Sequence, residues 1–281
     1  MTPQLDSERG NPPLRASAVV VSHQRAASLR RCLESLEKSE GRESLQIIVV
    51  DNGSRDGSAG LDAEFPKAQF IRLPKNFGLT KAMNIGWRAA DSPYVFFLHD
   101  DAEVEPQTAL RLAEALDAHA DAAAACPLLV DAEGRPAPQL GTLPPGAGYR
   151  PAQPVGSDPE PVEYPRGAAL MMRVFAIKAI RQIDERYGQF GADADLAAQI
   201  GRASKRILLV PSARVLHLGA GTKSDLERAD ALQGQAVFVD KYAGFVSGLG
   251  VRLLTGLRLL FTFQWGILRH ALAGRKIDGA Q

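Results

Sequence analysis

The chain has 281 residues, of which 45% are hydrophobic and 23% charged, and its formal net charge is +1. This composition is that of a soluble globular protein with one large α/β domain or two small ones, and the near-neutral charge excludes a general attraction to nucleic acid or membranes. Two cysteines exclude a disulfide framework. Residues 1–15 are polar and predict a flexible tail without a signal peptide, so we expect the catalytic part to stay in the cytoplasm.

A strand, a helix and a second strand open the ordered part of the chain. A β-branched run predicts a strand over 18–21, apolar residues at helical spacing predict a helix over 28–38, and a second apolar run predicts a strand over 45–50. This order is the repeating unit of a parallel sheet with right-handed crossovers. The elements predicted next are a short helix over 58–64, a strand over 69–73, a helix within 76–90, a strand over 94–98, a helix over 106–119 and one short strand within 122–130.

Polar side chains follow two of these strands. Asp51 comes directly after the second strand, where it can accept hydrogen bonds from a base or a ribose, although Asp-Asn-Gly-Ser is equally good turn chemistry. His99, Asp100 and Asp101 follow the strand over 94–98 and can hold a cation or a proton, or else start a loop that caps the next helix. In open α/β sheets, ligands bind outside the carboxyl ends of the strands, which favours a site here.

The stretch over 127–165 holds ten of the eighteen prolines and little apolar periodicity. We interpret it as a lid or an acceptor-side loop, because long loops in compact domains are usually functional or mobile. After it, the sequence predicts a strand over 170–172, helices over 174–183 and 193–203, and extended runs over 207–210 and 214–216. Asp193 is placed to cap the second of these helices.

The C-terminal segment is basic and apolar. No acidic residue lies between Lys241 and Ile277, and the spacing of Arg258, Arg269 and Lys276 puts them on one face of a helix. The segment 244–276 is too interrupted to cross a bilayer, and two readings stay open: contact with a membrane interface, or packing on its own domain or on a second subunit as a homodimer. Interleaved aliphatic residues argue against a nucleic-acid partner.

Four segments, in order, resemble the family 2 inverting glycosyltransferases, which have the GT-A fold. They are VVVSHQRAASLRRCLESL, VVDNGSRDGS, NFGLTKAMNIGWRAADSPYVFFLHDDAEVEP, and the stretch from GAALMM to RVLH. The resemblance covers 16–217, and within the family the sequence resembles bacterial enzymes of cell-surface polysaccharide synthesis, including rhamnosyltransferases. It implies an α/β fold with a mostly parallel, Rossmann-like sheet flanked by helices over 16–220, followed by a helical extension over 221–281.

The resemblance also implies roles for single residues. Asp193 would be the general base of a single displacement that inverts the anomeric carbon, and Asp101 with His217 would bind a divalent cation, Mn²⁺ or Mg²⁺. The residues that would contact the nucleotide-sugar donor are Ser22, His23, Arg25, Asp51, Asn52, Lys81, Asn84 and Asp100. The acceptor would be a glycan or a lipid-linked sugar.

Two positions depart from the family pattern. His99 stands where the acidic motif begins with Asp, and Ala192 stands where an acid usually precedes the base. The second departure leaves the base open between Asp193 and Asp195, with position favouring Asp193. Both departures support an alternative, a nucleotide-sugar-binding protein without transfer activity. A nicotinamide dehydrogenase is excluded, because SHQRAAS replaces the glycine-rich turn after the first strand.

Overall fold

The structure, a computed structural model, describes residues 13–146, 148–217 and 224–274. Most of the predicted N-terminal tail and Lys276 lie outside these residues. Within them, none of the helices combines the length and hydropathy that crossing a bilayer requires.

The strands follow the predicted order in the first half of the chain. Their bounds are β1 Ala16–Ser22, β2 Leu45–Asp51, β3 Gln69–Arg72, β4 Tyr94–His99, β5 Ala102–Val104, β6 Ala122–Val130, β7 Pro138–Gly141, β8 Arg150–Pro151, β9 Glu160–Val162, β10 Tyr164–Pro165, β11 Ala169–Arg173 and β12 Arg206–His217. The two extended runs predicted near the end of the domain are one strand, β12, whose register shifts between Val210 and Arg214.

The helices alternate with the strands and then follow one another at the C-terminus. Their bounds are α1 Ala26–Glu37, α2 Leu61–Glu64, α3 Leu79–Arg88, α4 Thr108–Ala118, α5 Val174–Ala179, α6 Ala192–Arg202, α7 Asp225–Ala243, α8 Phe245–Phe261 and α9 Trp265–Leu272. Helix α4 has Gln107 at its N-cap without a side-chain hydrogen bond. Asp100 and Asp101 therefore do not cap it.

A nine-stranded sheet forms the centre of the protein in the order β3-β2-β1-β4-β11-β6-β12-β5, with β9 paired to β12. Strands β1 to β4 run parallel, and β6 is parallel to β12, while β11 is antiparallel to both of its neighbours. Helix α3 lies close to this sheet at Gly86, where a Cβ atom would come within 2.4 Å of Cγ1 of Val19. The small residues of α3 therefore serve its packing on the sheet.

The proline-rich stretch is more ordered than a long loop. Strands β10, β7 and β8 form a small antiparallel sheet, and Gln139 of β7 is buried, with its amide bonded to the backbone of Leu129 and Pro127. The stretch over 127–165 thus contains short paired strands, and its role as a lid or an acceptor-side loop stays a prediction. Proline has no N–H to donate to a neighbouring strand, which explains why these strands are short.

The C-terminal segment is not one continuous helix. Helix α8 ends at Phe261, and Phe263, which has a φ of 55°, reverses the chain before α9 begins. Arg258 and Arg269 therefore lie on different helices, and the prediction that they share a helix face was wrong. Helix α7 joins this segment to the body of the protein, because Phe238 is buried in the same core cluster as the sheet.

Candidate functional site

The carboxyl ends of three neighbouring parallel strands carry the polar residues of the site. Ser22 at the end of β1 is in register with Asp51 of β2, and Val21 is in register with His99 of β4. The buried runs of these strands end at the same edge of the sheet, so their polar ends meet there. The antiparallel pairing of β12 with β5 sets His217 opposite Ala102, next to Asp101.

Arg25, just before α1, pairs with both carboxylates of the acidic motif. Its Nη1 lies 3.0 Å from Oδ2 of Asp101 and 3.5 Å from Oδ1 of Asp100, while the Ser22 hydroxyl donates to Oδ2 of Asp100 at 2.7 Å. Burial raises the pKa of Asp100 to about 6, although Ser22 and Arg25 oppose the shift. Asp100 is thus anchored inside the protein rather than free in the cavity.

His99, Asp101 and His217 form a candidate cation site, with one ligand atom of each residue within 4.8 Å of the others. Oδ1 of Asp101 is buried and receives no well-formed hydrogen bond, although Nε2 of His217 lies 3.3 Å away. Burial acts to raise the pKa of Asp101, but His217, His99 and Arg25 outweigh it and hold that pKa below its ordinary value. An ionised carboxylate with an unpartnered buried oxygen, facing two imidazoles, fits a divalent cation.

Asp193 lies in the first turn of α6, and its carboxylate accepts four hydrogen bonds. Oδ2 accepts from the Tyr149 hydroxyl at 2.7 Å and from the backbone N–H of Gly167 at 3.2 Å. Oδ1 accepts from the Tyr164 hydroxyl at 3.0 Å and from the Ala194 N–H at 2.9 Å. The N-cap of α6 is Gly191, whose φ is 98°, so the prediction that Asp193 caps this helix was wrong.

Asp195 points away from this group and into the protein. It is 1% exposed, lies 2.8 Å from the Lys241 ammonium of α7, and accepts hydrogen bonds from Tyr242 and Gln199. Lys241 also contacts Asp184. The sequence left the identity of the general base open between Asp193 and Asp195. Of these two, only Asp193 lines the cavity described next.

The acidic motif and Asp193 line one cavity of about 580 Å³, here called the central cavity. The residues that line it are Val21, His23, Arg25, Asn52, Asn76, Leu79, Met83, Phe97, His99, Asp100, Asp101, Tyr149, Arg166, Gly167, Leu170, Gln189, Phe190, Ala192, Asp193, Leu196, His217 and Glu227. His23 is one of these residues, and its Nδ1 is buried without a hydrogen-bond partner.

Four of the residues predicted to contact the donor lie behind the cavity wall or outside it. Ser22 is buried against Asp100, and Oδ1 of Asp51 accepts from the backbone N–H of Ser54, which is the turn role. Asn84 is fully buried, and its side chain is bonded to Ile183 and Trp87. Lys81 is exposed, with its ammonium 4.8 Å from the ring centre of Phe77. Asn84 and Lys81 therefore do not line the central cavity.

Tyr149, Tyr164 and Arg166 were not predicted as site residues. The two phenols contact Asp193 and lie 2.6 Å apart, and burial together with the Asp193 charge raises the pKa of both, so each keeps its proton. The Arg166 guanidinium lies 5.7 Å from the centre of the Tyr149 ring. The sequence contained a cue for these site residues. The end of the proline-rich stretch brings a tyrosine, an arginine and a glycine close together at 164–167.

Comparison with known proteins gives the same fold and names a family. Residues 17–178 match the family described as Glycosyl transferase family 2. Among solved structures, GalNAc-T7 with UDP, GalNAc and Mn²⁺ has a TM-score of 0.66 at 17% identity, over 82% of this chain and 48% of that one. S. aureus TarS residues 1–349 with UDP-GlcNAc has a TM-score of 0.57 at 15% identity, over 81% of this chain and 67% of that one.

Related sequences include enzymes named for the transfer of rhamnose and of N-acetylglucosamine. An N-acetylglucosaminyl-diphospho-decaprenol L-rhamnosyltransferase of Mycobacterium tuberculosis is 26% identical over 230 residues, which is 71% of this chain and 74% of the relative. An N-acetylglucosaminyltransferase of Mesorhizobium japonicum is 31% identical over 114 residues, which is 38% of this chain and 27% of the relative. Because the family match covers more than half of the chain, this protein belongs to glycosyl transferase family 2 and is a glycosyltransferase with the GT-A fold.

Proposed function

We propose that this enzyme transfers a sugar from a nucleotide-diphosphate donor to a hydroxyl of a lipid-linked or polysaccharide acceptor, with inversion at the anomeric carbon. The observation that carries the proposal is that Asp101 and Asp193 line the same cavity. One carboxylate would then serve the diphosphate side of the sugar and the other its acceptor side. The name of the mycobacterial relative includes a lipid-linked acceptor. An enzyme that uses such an acceptor would act at the inner face of a membrane.

The donor diphosphate would lie near His99, Asp101 and His217, which would hold a divalent cation. When bound, the cation would offset the negative charge that develops on the leaving diphosphate. Two imidazoles among the ligands disfavour Mg²⁺, which prefers oxygen, so Mn²⁺ is the better fit of the two. Arg166 also lines the cavity, and its fixed positive charge suits a diphosphate oxygen.

Asp193 would accept the proton of the acceptor hydroxyl. All four lone-pair directions of its carboxylate are already used by donors, and the Gly167 and Ala194 N–H groups are fixed by the backbone. Of the two tyrosines, Tyr149 is the one that lines the cavity. The acceptor hydroxyl would therefore take the place of Tyr149 on Oδ2, while the other three donors keep the carboxylate oriented.

A test needs both the product and its stereochemistry. The full-length enzyme is incubated with a panel of nucleotide sugars, Mn²⁺ and a detergent-solubilised polyprenyl-diphosphate sugar, and the product is examined by NMR. We expect a new glycosidic bond whose anomeric configuration is opposite to that of the donor. A product with retained configuration would contradict the single displacement.

The second candidate function is nucleotide-sugar binding without transfer. It is favoured by the saturated hydrogen bonding of Asp193, which leaves the base without a free lone pair. It predicts that a nucleoside diphosphate raises the Tm while no donor is converted by any acceptor of the panel. Turnover of any donor decides against it.

A further inference from the structure

Helix α8 turns its more apolar side to the solvent. Leu249, Leu253, Leu257 and Leu260 are exposed by 40–60%, whereas Gly248 and Leu259 are its buried residues. Gly248 packs on α7, where a Cβ atom would lie 2.6 Å from Cβ of Asp240. A surface helix normally buries its apolar stripe and exposes its polar side, so α8 has the opposite orientation.

The exposed leucines form a continuous face with a basic border. At about 100° per residue, Leu253 and Leu257 lie on the side of α8 opposite to Gly248 and Leu259. By the same geometry Arg258 falls on one border between the exposed and the buried side, whereas Arg252 lies about 20° from Leu259 around the helix axis, and both arginines are exposed. A long arginine side chain at such a border can keep its charge in a polar layer while its stem lies along apolar groups.

The face continues onto α9. Trp265, at its start, is 55% exposed, and its ring centre lies 6.3 Å from that of Phe263, which is also exposed. Outside 245–272, Val155 and Phe175 are the other large apolar side chains that the described residues expose. So concentrated a patch marks an interaction surface. We define the α8–α9 face as Leu249, Leu253, Leu257, Leu260, Phe263 and Trp265.

We propose that the α8–α9 face lies on the surface of an anionic phospholipid bilayer. Residues 242–277 contain no acidic side chain, so the arginines around the face have no counter-charge on it, and anionic headgroups would supply one. A second copy fits less well, because a two-fold interface sets the same surface against itself and would bring arginines together without a carboxylate between them. The proposal needs no step of the sugar transfer and would hold for an inactive protein.

The chain carries its own fluorescent reporter of this contact. It has two tryptophans, and Trp87 is buried, with its indole N–H bonded to Asn84. A spectral change on adding vesicles therefore reports on Trp265. We expect a blue shift with phosphatidylcholine vesicles that contain 30% phosphatidylglycerol, and quenching when the lipid chains are brominated. An unchanged spectrum would overturn the proposal.

Co-sedimentation of the full chain with the same vesicles locates the contact. The double variant Leu253→Glu/Leu257→Glu should reduce the bound fraction at least tenfold, whereas Val155→Glu, at a residue that is 99% exposed elsewhere, should bind as the wild type does. Arg252→Glu/Arg258→Glu should weaken binding to anionic vesicles. Unchanged circular dichroism and transfer to a soluble acceptor would show that the variants are folded.

Three results would contradict the proposal. Equal binding of the leucine double variant and the wild type would show that the α8–α9 face does not contact the bilayer. Equal binding to vesicles of pure phosphatidylcholine would show that anionic headgroups are not needed. A wild-type dimer that ignores vesicles, and that the leucine double variant cannot form, would show that a second copy covers the face.

Discussion

The hydroxyl of Tyr149 donates a hydrogen bond of 2.7 Å to Oδ2 of Asp193, and both residues line the central cavity. A phenol thus stands where the proposed reaction needs the hydroxyl of an acceptor. The Tyr164 hydroxyl lies 2.6 Å from that of Tyr149 and also contacts Asp193. Two phenolic protons cannot serve all three of these oxygen contacts, so one of the three lacks a hydrogen at any moment.

We predict that Tyr149→Phe improves the use of the acceptor. Hydrogen bonds to charged groups contribute about 1.5–3 kcal/mol, and the wild type must break this one before the acceptor can bind. The acceptor KM should therefore fall about tenfold, with kcat changed less than threefold. The matched variant Tyr164→Phe removes a phenol that does not line the cavity and should not lower this KM. A hundredfold loss of kcat in Tyr149→Phe would instead make the phenol part of the reaction.

Asp193→Asn should abolish most of the transfer. A well-placed general base contributes about 10²–10⁴-fold in rate, and an amide cannot accept the proton, so kcat should fall by that factor while donor binding is retained. The control is Asp195→Asn, which removes one of the two carboxylates that contact Lys241. Asp184 still pairs with that ammonium, so this variant should have a modestly lower Tm but nearly normal kcat while folded. Undiminished transfer in Asp193→Asn would exclude it as the base.

The ligands of the candidate cation site can be tested by exchanging one of them. Because His99 replaces the first carboxylate of the motif, His99→Asp should shift the preference of the enzyme from Mn²⁺ toward Mg²⁺. We expect the ratio of the Mn²⁺-supported to the Mg²⁺-supported rate to fall at least tenfold, and His217→Ala to weaken Mn²⁺ binding in calorimetry. If the preference for Mn²⁺ over Mg²⁺ is the same in His99→Asp as in the wild type, His99 is not a ligand of the cation.

Asp184 should contribute to stability in a pH-dependent way. Burial acts to raise its pKa, but Arg186 and Lys241 outweigh burial and hold it well below the ordinary value. A carboxyl group whose pKa is depressed on folding stabilises the protein fully above its unfolded pKa of about 3.9, and loses this effect as the pH falls toward the folded value. The free energy of unfolding should therefore fall less between pH 5 and pH 3 in Asp184→Asn than in the wild type, as measured by urea titration. Parallel curves would contradict this.

Much of the first half of the fold could be predicted because each strand there is a short apolar run. Such a run ends where the chain leaves the sheet, which is why Asp51 and Asp100 were found at strand ends. Parallel pairing then brings these ends together without any further information. The position of Asp101 in the site followed from the same reasoning.

Contacts between distant segments could not be predicted in this way. The sequence suggested that the Asn84 side chain is free to contact a ligand. In the structure it is hydrogen-bonded to the backbone of Ile183, 99 residues later in the chain. Tyr149, which contacts Asp193, lies in a proline-rich stretch that shows no alternation of apolar and polar residues. The sequence therefore did not predict the strands that position it. The break between α8 and α9 falls at Thr262–Gln264, where neither glycine nor proline marks it, since Phe263 itself adopts the left-handed conformation.

The contact of Lys241 with Asp195 has a consequence for any attempt to isolate the catalytic part. A shortened chain that stops after β12 would keep every residue that lines the central cavity except Glu227, yet it would lose the cation that neutralises a buried carboxylate two positions from Asp193. Uncompensated charge in the interior is relieved by protonation or by local unfolding, and either would disturb the first turn of α6. We therefore expect a chain without α7 to transfer sugar poorly even in solutions that contain no lipid.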